Sequence, residues 1–144
     1  MLRMKHQEIT ESILGAAFDV VNELGIGFLE SVYEEAMRIA LQERGHRVQT
    51  QLCTHVWFRN QCIGTFFADL IVDNLVLVEL KAGRGLDAIH SAQVINYLNA
   101  TGYDIGLLIN FGSRRLEYRR LARTAVWVEE TDPETPGEVQ PPSV

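Results

Sequence analysis

The stretch Thr65-Phe66-Phe67-Ala68-Asp69-Leu70-Ile71-Val72-Asp73-Asn74-Leu75-Val76-Leu77-Val78-Glu79-Leu80-Lys81 governs how this chain is read. Two nearly continuous apolar runs, 63–72 and 75–82, flank Asp73-Asn74. Runs of this composition predict strands of a buried sheet. Asp69 interrupts the first run, and Glu79 and Lys81 interrupt the second. Such residues are disfavoured in strands and are rarely buried unless paired or bound to a metal. Strand side chains alternate with period two, so Glu79 and Lys81 share a face. Whether Asp69 joins them depends on the turn. A two-residue tip at Asp73-Asn74 would set Asp69 opposite Val78 and turn it away from Glu79. A three-residue loop, Asp73-Asn74-Leu75, pairs Asp69 with Glu79, and Asn tolerates the left-handed conformation such loops use. The odd-length loop is therefore expected.

Two chemistries suit that cluster. The first is a buried ion pair of Lys81 with Glu79 or Asp69, which leaves one carboxylate over. The second is a cation site. Close carboxylates repel, and one protonates unless a cation neutralises the pair. Mg²⁺, with Mn²⁺ as a substitute, takes hard oxygen ligands and completes its shell with water and phosphate oxygens. Lys81 would then orient or activate a water, or stabilise charge on a phosphorane.

Working outward, Ile9, Ile13, Ala16, Val20 and Leu24 recur at helical spacing and predict a helix ending near Gly25. Leu29, Val32, Ala36 and Ile39 predict a second, ending near Gly45. Residues 48–58 are rich in β-branched and aromatic side chains and predict a strand, with Arg59-Asn60 as a turn. A third helix is expected from about Asp87 to Ala100, a strand over Ile105 to Phe111, and a fifth strand within 115–128. The order of elements implies an α/β fold, a mixed β-sheet of four to five strands flanked by helices.

The chain has 144 residues, which fits one domain, expected over 1–128. Residues 129–144 carry all four prolines and five of the 19 acids, and their composition predicts a disordered tail. The formal charge of -6 argues against a polyanionic partner until that tail is set aside. The body then holds all 13 Lys and Arg against 14 acids, a balance of -1. Cys53 and Cys62 form no metal-binding spacing and are expected as free thiols. With no apolar signal segment and no stretch of about 18 apolar residues, a soluble, cytoplasmic protein is expected, with no membrane partner.

Asp69 followed after nine residues by Glu79-Leu80-Lys81 resembles the motif of the PD-(D/E)XK nuclease superfamily. Further segments sharpen the likeness: Gly27-Phe28-Leu29-Glu30-Ser31-Val32-Tyr33, His90-Ser91-Ala92-Gln93 and Gly106-Leu107-Leu108-Ile109-Asn110-Phe111-Gly112. Together, from about Ile9 to Arg120, they resemble the small bacterial and archaeal GxxExxY family of that superfamily. Ala68 stands where the superfamily motif has a proline that ligates nothing. The resemblance implies a restriction-endonuclease-like core of helix, three antiparallel strands, helix and a further strand. It also implies a metal-dependent nuclease, with Asp69, Glu79 and Lys81 as catalytic residues.

Superfamily members often supply another acid from the helix before the strands, which would make Glu30 a further metal or water ligand. As a first-turn acid, Glu30 also suits the helix dipole without any function. Gln93-Val94-Ile95-Asn96-Tyr97 resembles the QxxxY element of exonuclease-like branches, in which the glutamine approaches the metal. His90, Gln93 and Tyr97 share a helix face by spacing. His90 and Tyr97 are candidates for nucleic-acid contact, although a lone His is more often structural. Arg115 and Arg119, in the one dense basic cluster, are expected to share a strand face, as phosphate contacts or as solvated surface charge. Trp57 and Trp127 read as core or edge packing. The expected function is phosphodiester hydrolysis, of DNA before RNA, with a homodimer or partner protein conferring specificity. The alternative is a catalytically idle nucleic-acid-binding or protein-interaction module on the same fold.

Overall fold

The computed structural model describes residues 4–123. The acidic tail expected from Glu129 and the side chain of Trp127 lie outside them. Two helices, α1 (Gln7–Leu24) and α2 (Glu30–Glu43), precede three strands, β1 (Val48–Phe58), β2 (Gln61–Val72) and β3 (Val76–Lys81). Helix α3 (Ala88–Thr101) leads to β4 (Ile105–Asn110) and β5 (Glu117–Ala122). The strands form one five-stranded sheet in the order β1-β2-β3-β4-β5. Only β3 and β4 run parallel, joined by the α3 crossover, so the sheet is mixed as expected.

Both faces of the sheet's centre are covered. On one side Ile13, Ala16 and Val20 of α1 and Tyr33, Met37 and Leu41 of α2 pack on Leu70, Val72, Val78, Leu107 and Ile109. On the other, Val94 and Leu98 of α3 pack on Ile71, Leu77 and Leu108. Gly106 lets α3 approach closely, since a Cβ there would lie 2.9 Å from the Val94 Cγ1. Burial on both faces explains why β3 and β4 read as continuous apolar runs.

The turns follow their residues. Arg59 and Asn60 both have positive φ, 49° and 64°, and join Phe58 to Gln61 as a two-residue hairpin. The β2–β3 connection is the expected three-residue loop: Val72 pairs with Val76, and Asp73 and Asn74 have φ 53° and 54°. Asp73 also ties this loop to the α2–β1 junction. Its Oδ1 accepts from the Arg47 backbone N–H at 2.9 Å, and its Oδ2 lies 2.7 Å from His46 Nδ1. His46 Nε2 meets Ser12 Oγ of α1 at 2.7 Å.

Tyr33 accounts for part of the glycine- and tyrosine-bearing stretch 27–33. Its buried hydroxyl donates to the Gly25 carbonyl at 2.7 Å and accepts from the Phe28 N–H at 3.3 Å. Its ring stacks on Phe111 with centroids 4.6 Å apart, fastening the α1–α2 loop to the end of β4.

Candidate functional site

Leu70 and Val78 are the last regular pair of the β2–β3 ladder on the side away from the loop. Beyond them the two carboxylates replace ladder partners. Asp69 Oδ2 accepts from the Leu80 N–H at 2.8 Å, and Glu79 Oε1 accepts from the Asp69 N–H at 3.2 Å. The three-residue loop thus sets Asp69 beside Glu79, as its register requires.

Asp69 also sits where alternation changes phase. Phe66 and Ala68 pack on the α3 side, whereas Leu70 and Val72 pack on the α1–α2 side. Strict period two would put all four on one face. Across from Asp69, between the pairs Thr50–Leu70 and Leu52–Ala68, stands Gln51 with φ 51°. The distortion opens Asp69 to groups from both layers. Gln51 Nε2 donates to Asp69 Oδ1 at 3.2 Å and also to Glu34 of α2.

The electrostatics follow from burial and crowding. Glu79 is 6% exposed. Burial and the neighbouring Asp69 charge push its carboxyl up to about 8, against the opposing pull of the Asp69 N–H and of Lys81. Burial also raises Glu34, with a smaller contribution from Asp69, while the Gln51 hydrogen bond lowers it. On the opposite layer, burial and the charges of Glu79 and Asp69 raise the Tyr97 phenol, and Gln93 hydrogen-bonds to it. Tyr97 stacks on Phe66 with centroids 3.8 Å apart. Asp69, Glu79, half-buried Lys81, Gln93 and Tyr97 therefore gather around one end of the β2–β3 pair.

Several sequence expectations are placed differently. Glu30 is exposed on the first turn of α2, and it is Glu34, one turn later, that reaches Asp69 through Gln51. Four residues of helix separate the two acids by a full turn, enough to shift which one meets the sheet. Among the described residues, no three His, Cys, Asp or Glu side chains converge as a metal-binding group. His90 closes a capping box: its Nδ1 accepts from the Asp87 N–H at 3.2 Å, while Asp87 Oδ1 accepts from the His90 N–H. Arg119 is committed to α3 rather than to solvent, donating to the Leu86 and Asp87 carbonyls and, at 2.7 Å, to Ser91 Oγ. Arg115 is exposed in the loop before β5, so the two arginines do not share a strand face.

Glu34, Gln51 and Asn110 stand at the site without having been among the candidates the sequence offered. Asn110 is fully buried beside Lys81 in the β3–β4 register. Its Oδ1 accepts from the Gly83 and Gly112 N–H groups, and its Nδ2 donates to the Gly83 carbonyl and to Glu117. It holds the chain just past Lys81. A polar residue ending an apolar strand was the available signal for Asn110 and spacing of one turn from Glu30 that for Glu34, whereas Gln51 carries none until the register is known.

The donor set suits a hard divalent cation. It offers carboxylate oxygens at a point where a buried carboxyl is otherwise driven to hold its proton, and a cation would relieve that repulsion.

Comparison with known proteins bears on the fold. One similar solved structure is described as SSO0001, at 16% identity and a TM-score of 0.50, covering 65% of this chain and 50% of that one. The chain thus spans half the length of that protein. Another is an alkaline exonuclease from Laribacter hongkongensis, at 14% identity and a TM-score of 0.44, covering 90% of this chain and 76% of that one. Curated proteins return no match. The profile of the PD-(D/E)XK nuclease superfamily matches residues 7–121, from the start of α1 to the last residue but one of β5, with all of the residues gathered at the end of β2 and β3. This chain belongs to the PD-(D/E)XK nuclease superfamily, and its mixed sheet between helices is the restriction-endonuclease-like fold.

Proposed function

We propose that the protein is a metal-dependent nuclease that hydrolyses phosphodiester bonds of DNA, with Asp69, Glu79 and Lys81 as its catalytic residues. The observation that carries this reading is the pairing of Asp69 with Glu79 where the β2–β3 ladder ends, beside Lys81. Asp69 and Glu79 would hold Mg²⁺ or Mn²⁺, and the bound ion would neutralise phosphate charge and lower the pKa of a water. Lys81 supplies a fixed cation for that water or for the charge developing on phosphorus. Gln93, held against Tyr97, orients the water or the phosphate from the α3 side. Glu34, through Gln51, sets the position of Asp69 and replaces Glu30 as the helix acid of the site. Within the superfamily we assign the chain to the GxxExxY family on its resemblance over Gly27–Tyr33, and we assign it to the cytoplasm.

A second reading, a module that binds nucleic acid without cleaving it, draws on the absence of a third converging ligand among the described residues. Cleavage of single-stranded, duplex and branched DNA and of RNA, with Mg²⁺ or Mn²⁺, separates the two. Lys81→Ala is expected to slow cleavage about a hundredfold or more while nucleic-acid binding changes little. Asp69→Asn should abolish cleavage, with part of it restored by excess Mn²⁺. Activity that persists in Asp69→Asn, Glu79→Gln and Lys81→Ala alike would place the chemistry elsewhere. Tight binding with no cleavage of any substrate would favour the module.

A further inference from the structure

Strands β1 and β2 run on together past the covered part of the sheet as a two-stranded arm tipped by Arg59-Asn60. One face of this arm is open. Cys53, His55 and Trp57 of β1 and Thr65 and Phe67 of β2 are all exposed, with Cys53 opposite Phe67 and His55 opposite Thr65. Trp57 is 56% and Phe67 54% exposed, although the sequence reading assigned Trp57 to packing. The His55 and Trp57 rings meet edge to face at 6.1 Å, and Cys62 Sγ lies 3.7 Å from His55 Nδ1, which orders this face without covering it. Phe67 stands two residues before Asp69 on β2, so the open face leads directly to the candidate site. At about 3.3 Å per residue, Trp57 lies roughly 13 Å farther out than Phe67.

Charge points to the occupant. The chain carries 19 Asp and Glu, yet residues 44–68 contain none, while Arg44, His46, Arg47, His55 and Arg59 fall there. Arg44 pairs with Asp19 and His46 with Asp73 at the arm's root, and Arg59 at its tip lies over the Phe58 ring. A surface without acids does not repel a polyanion, and Arg59 at the tip offers a cation to its phosphates. Exposed aromatics on a β-surface without acids are the usual equipment for stacking unpaired bases, since every base offers a π-face.

We propose that the β1–β2 arm is a stacking platform for a single-stranded stretch of nucleic acid, with Phe67 and Trp57 each taking a base and Arg59 a phosphate. The arm would feed that strand toward Asp69 and Glu79, so the inference deepens the nuclease reading and rests on it for its biological sense. Duplex DNA, whose bases are already stacked on one another, would engage the arm only at ends or unpaired segments.

The test uses the full chain carrying Trp127→Phe, so that Trp57 is the sole tryptophan. Oligothymidine, oligouridine and a blunt duplex are titrated in with a chelator present, so that binding is read without cleavage. Quenching of Trp57 fluorescence by either single strand, well ahead of the duplex, is the expected result, and the two strands tell DNA from RNA. In the otherwise native chain, Trp57→Ala or Phe67→Ala should weaken single-strand binding about tenfold. Trp57→Phe should retain most of it, and melting temperatures should stay unchanged because both side chains are exposed. Unquenched Trp57, or affinity indifferent to both alanine variants, overturns the proposal. So does a dimer that Trp57→Ala dissociates while strand binding persists. Quenching without cleavage of any substrate would count against the nuclease and leave the arm standing. Cleavage of duplex without quenching would do the reverse.

Discussion

At the scale of the residue, Glu79 is the most perturbed group in the candidate site. Its carboxyl ordinarily titrates near 4.5, and burial together with the Asp69 charge raises it to about 8. Between those values the folded chain holds a proton that the unfolded chain has released. Stability from this group is therefore fully present below about 4.5 and is lost as pH rises through 8. Asp73 runs the other way: burial would raise its carboxyl, but the Arg47 N–H and His46 together hold it below the ordinary 3.8, and its contribution is lost only in stronger acid. The metal-free protein should then lose stability from about pH 5 to about pH 8, by at most about 1.4 kcal/mol per pH unit. Glu79→Gln should flatten that slope. Urea midpoints across the window provide the check, and a wild-type curve parallel to that of Glu79→Gln would remove Glu79 as the cause.

At the scale of the element, the start of α3 shows side chains of binding type spent on structure. Asp87 and His90 cap the helix, and Arg119 reaches across from β5 to the Leu86 and Asp87 carbonyls and to Ser91. This anchorage fixes the pitch of α3, and with it the approach of Gln93 and Tyr97 to the carboxylates. Arg119→Ala removes charge-assisted hydrogen bonds and should cost about 2 kcal/mol. Arg115→Ala, exposed in its loop, should stay within about 0.5 kcal/mol of the wild type. Chemical denaturation distinguishes the two. Unchanged stability in Arg119→Ala, joined to a shallower salt dependence of nucleic-acid binding, would return this arginine to the phosphate role its sequence context suggested.

At the scale of the whole molecule, the two layers meet at the candidate site. Glu34 arrives from α2 through Gln51, Tyr97 and Gln93 arrive from α3, and the carboxylates come from the sheet between them. A cation bound there would couple all three layers and favour the folded state by mass action. With Mg²⁺ at a hundredfold excess over its dissociation constant, stability should rise by about 2.7 kcal/mol. Asp69→Asn should cancel the gain. Thermal melts with and without Mg²⁺ measure it, in the presence of a phosphate-bearing ligand to complete the shell. A wild type indifferent to Mg²⁺ and Mn²⁺ under those conditions would favour the buried ion pair of Lys81 over a metal site. Among the described residues no helix is long and apolar enough to cross a membrane.

By itself the sequence determined whatever depends on local periodicity and turn chemistry. The element order from α1 to β5, the Arg59-Asn60 hairpin and the three-residue loop at Asp73 all follow from patterns a few residues long. The nearness of Asp69 to Glu79 was legible for the same reason, because one loop length fixes the register of two adjoining strands. Tertiary structure alone decided the rest. Glu34 rather than Glu30 meets Gln51 because the two acids share a flank of α2 one turn apart, and the packing of Tyr33, Met37 and Leu41 sets which turn lies against the sheet. Gln51 and Asn110 acquired partners 18 and 27 residues away in the chain. Trp57 was left in the open because no helix among the described residues packs on that length of the β1–β2 arm. Each of these outcomes turns on whether segments far apart in the chain meet, which whole-domain packing decides and no local pattern records.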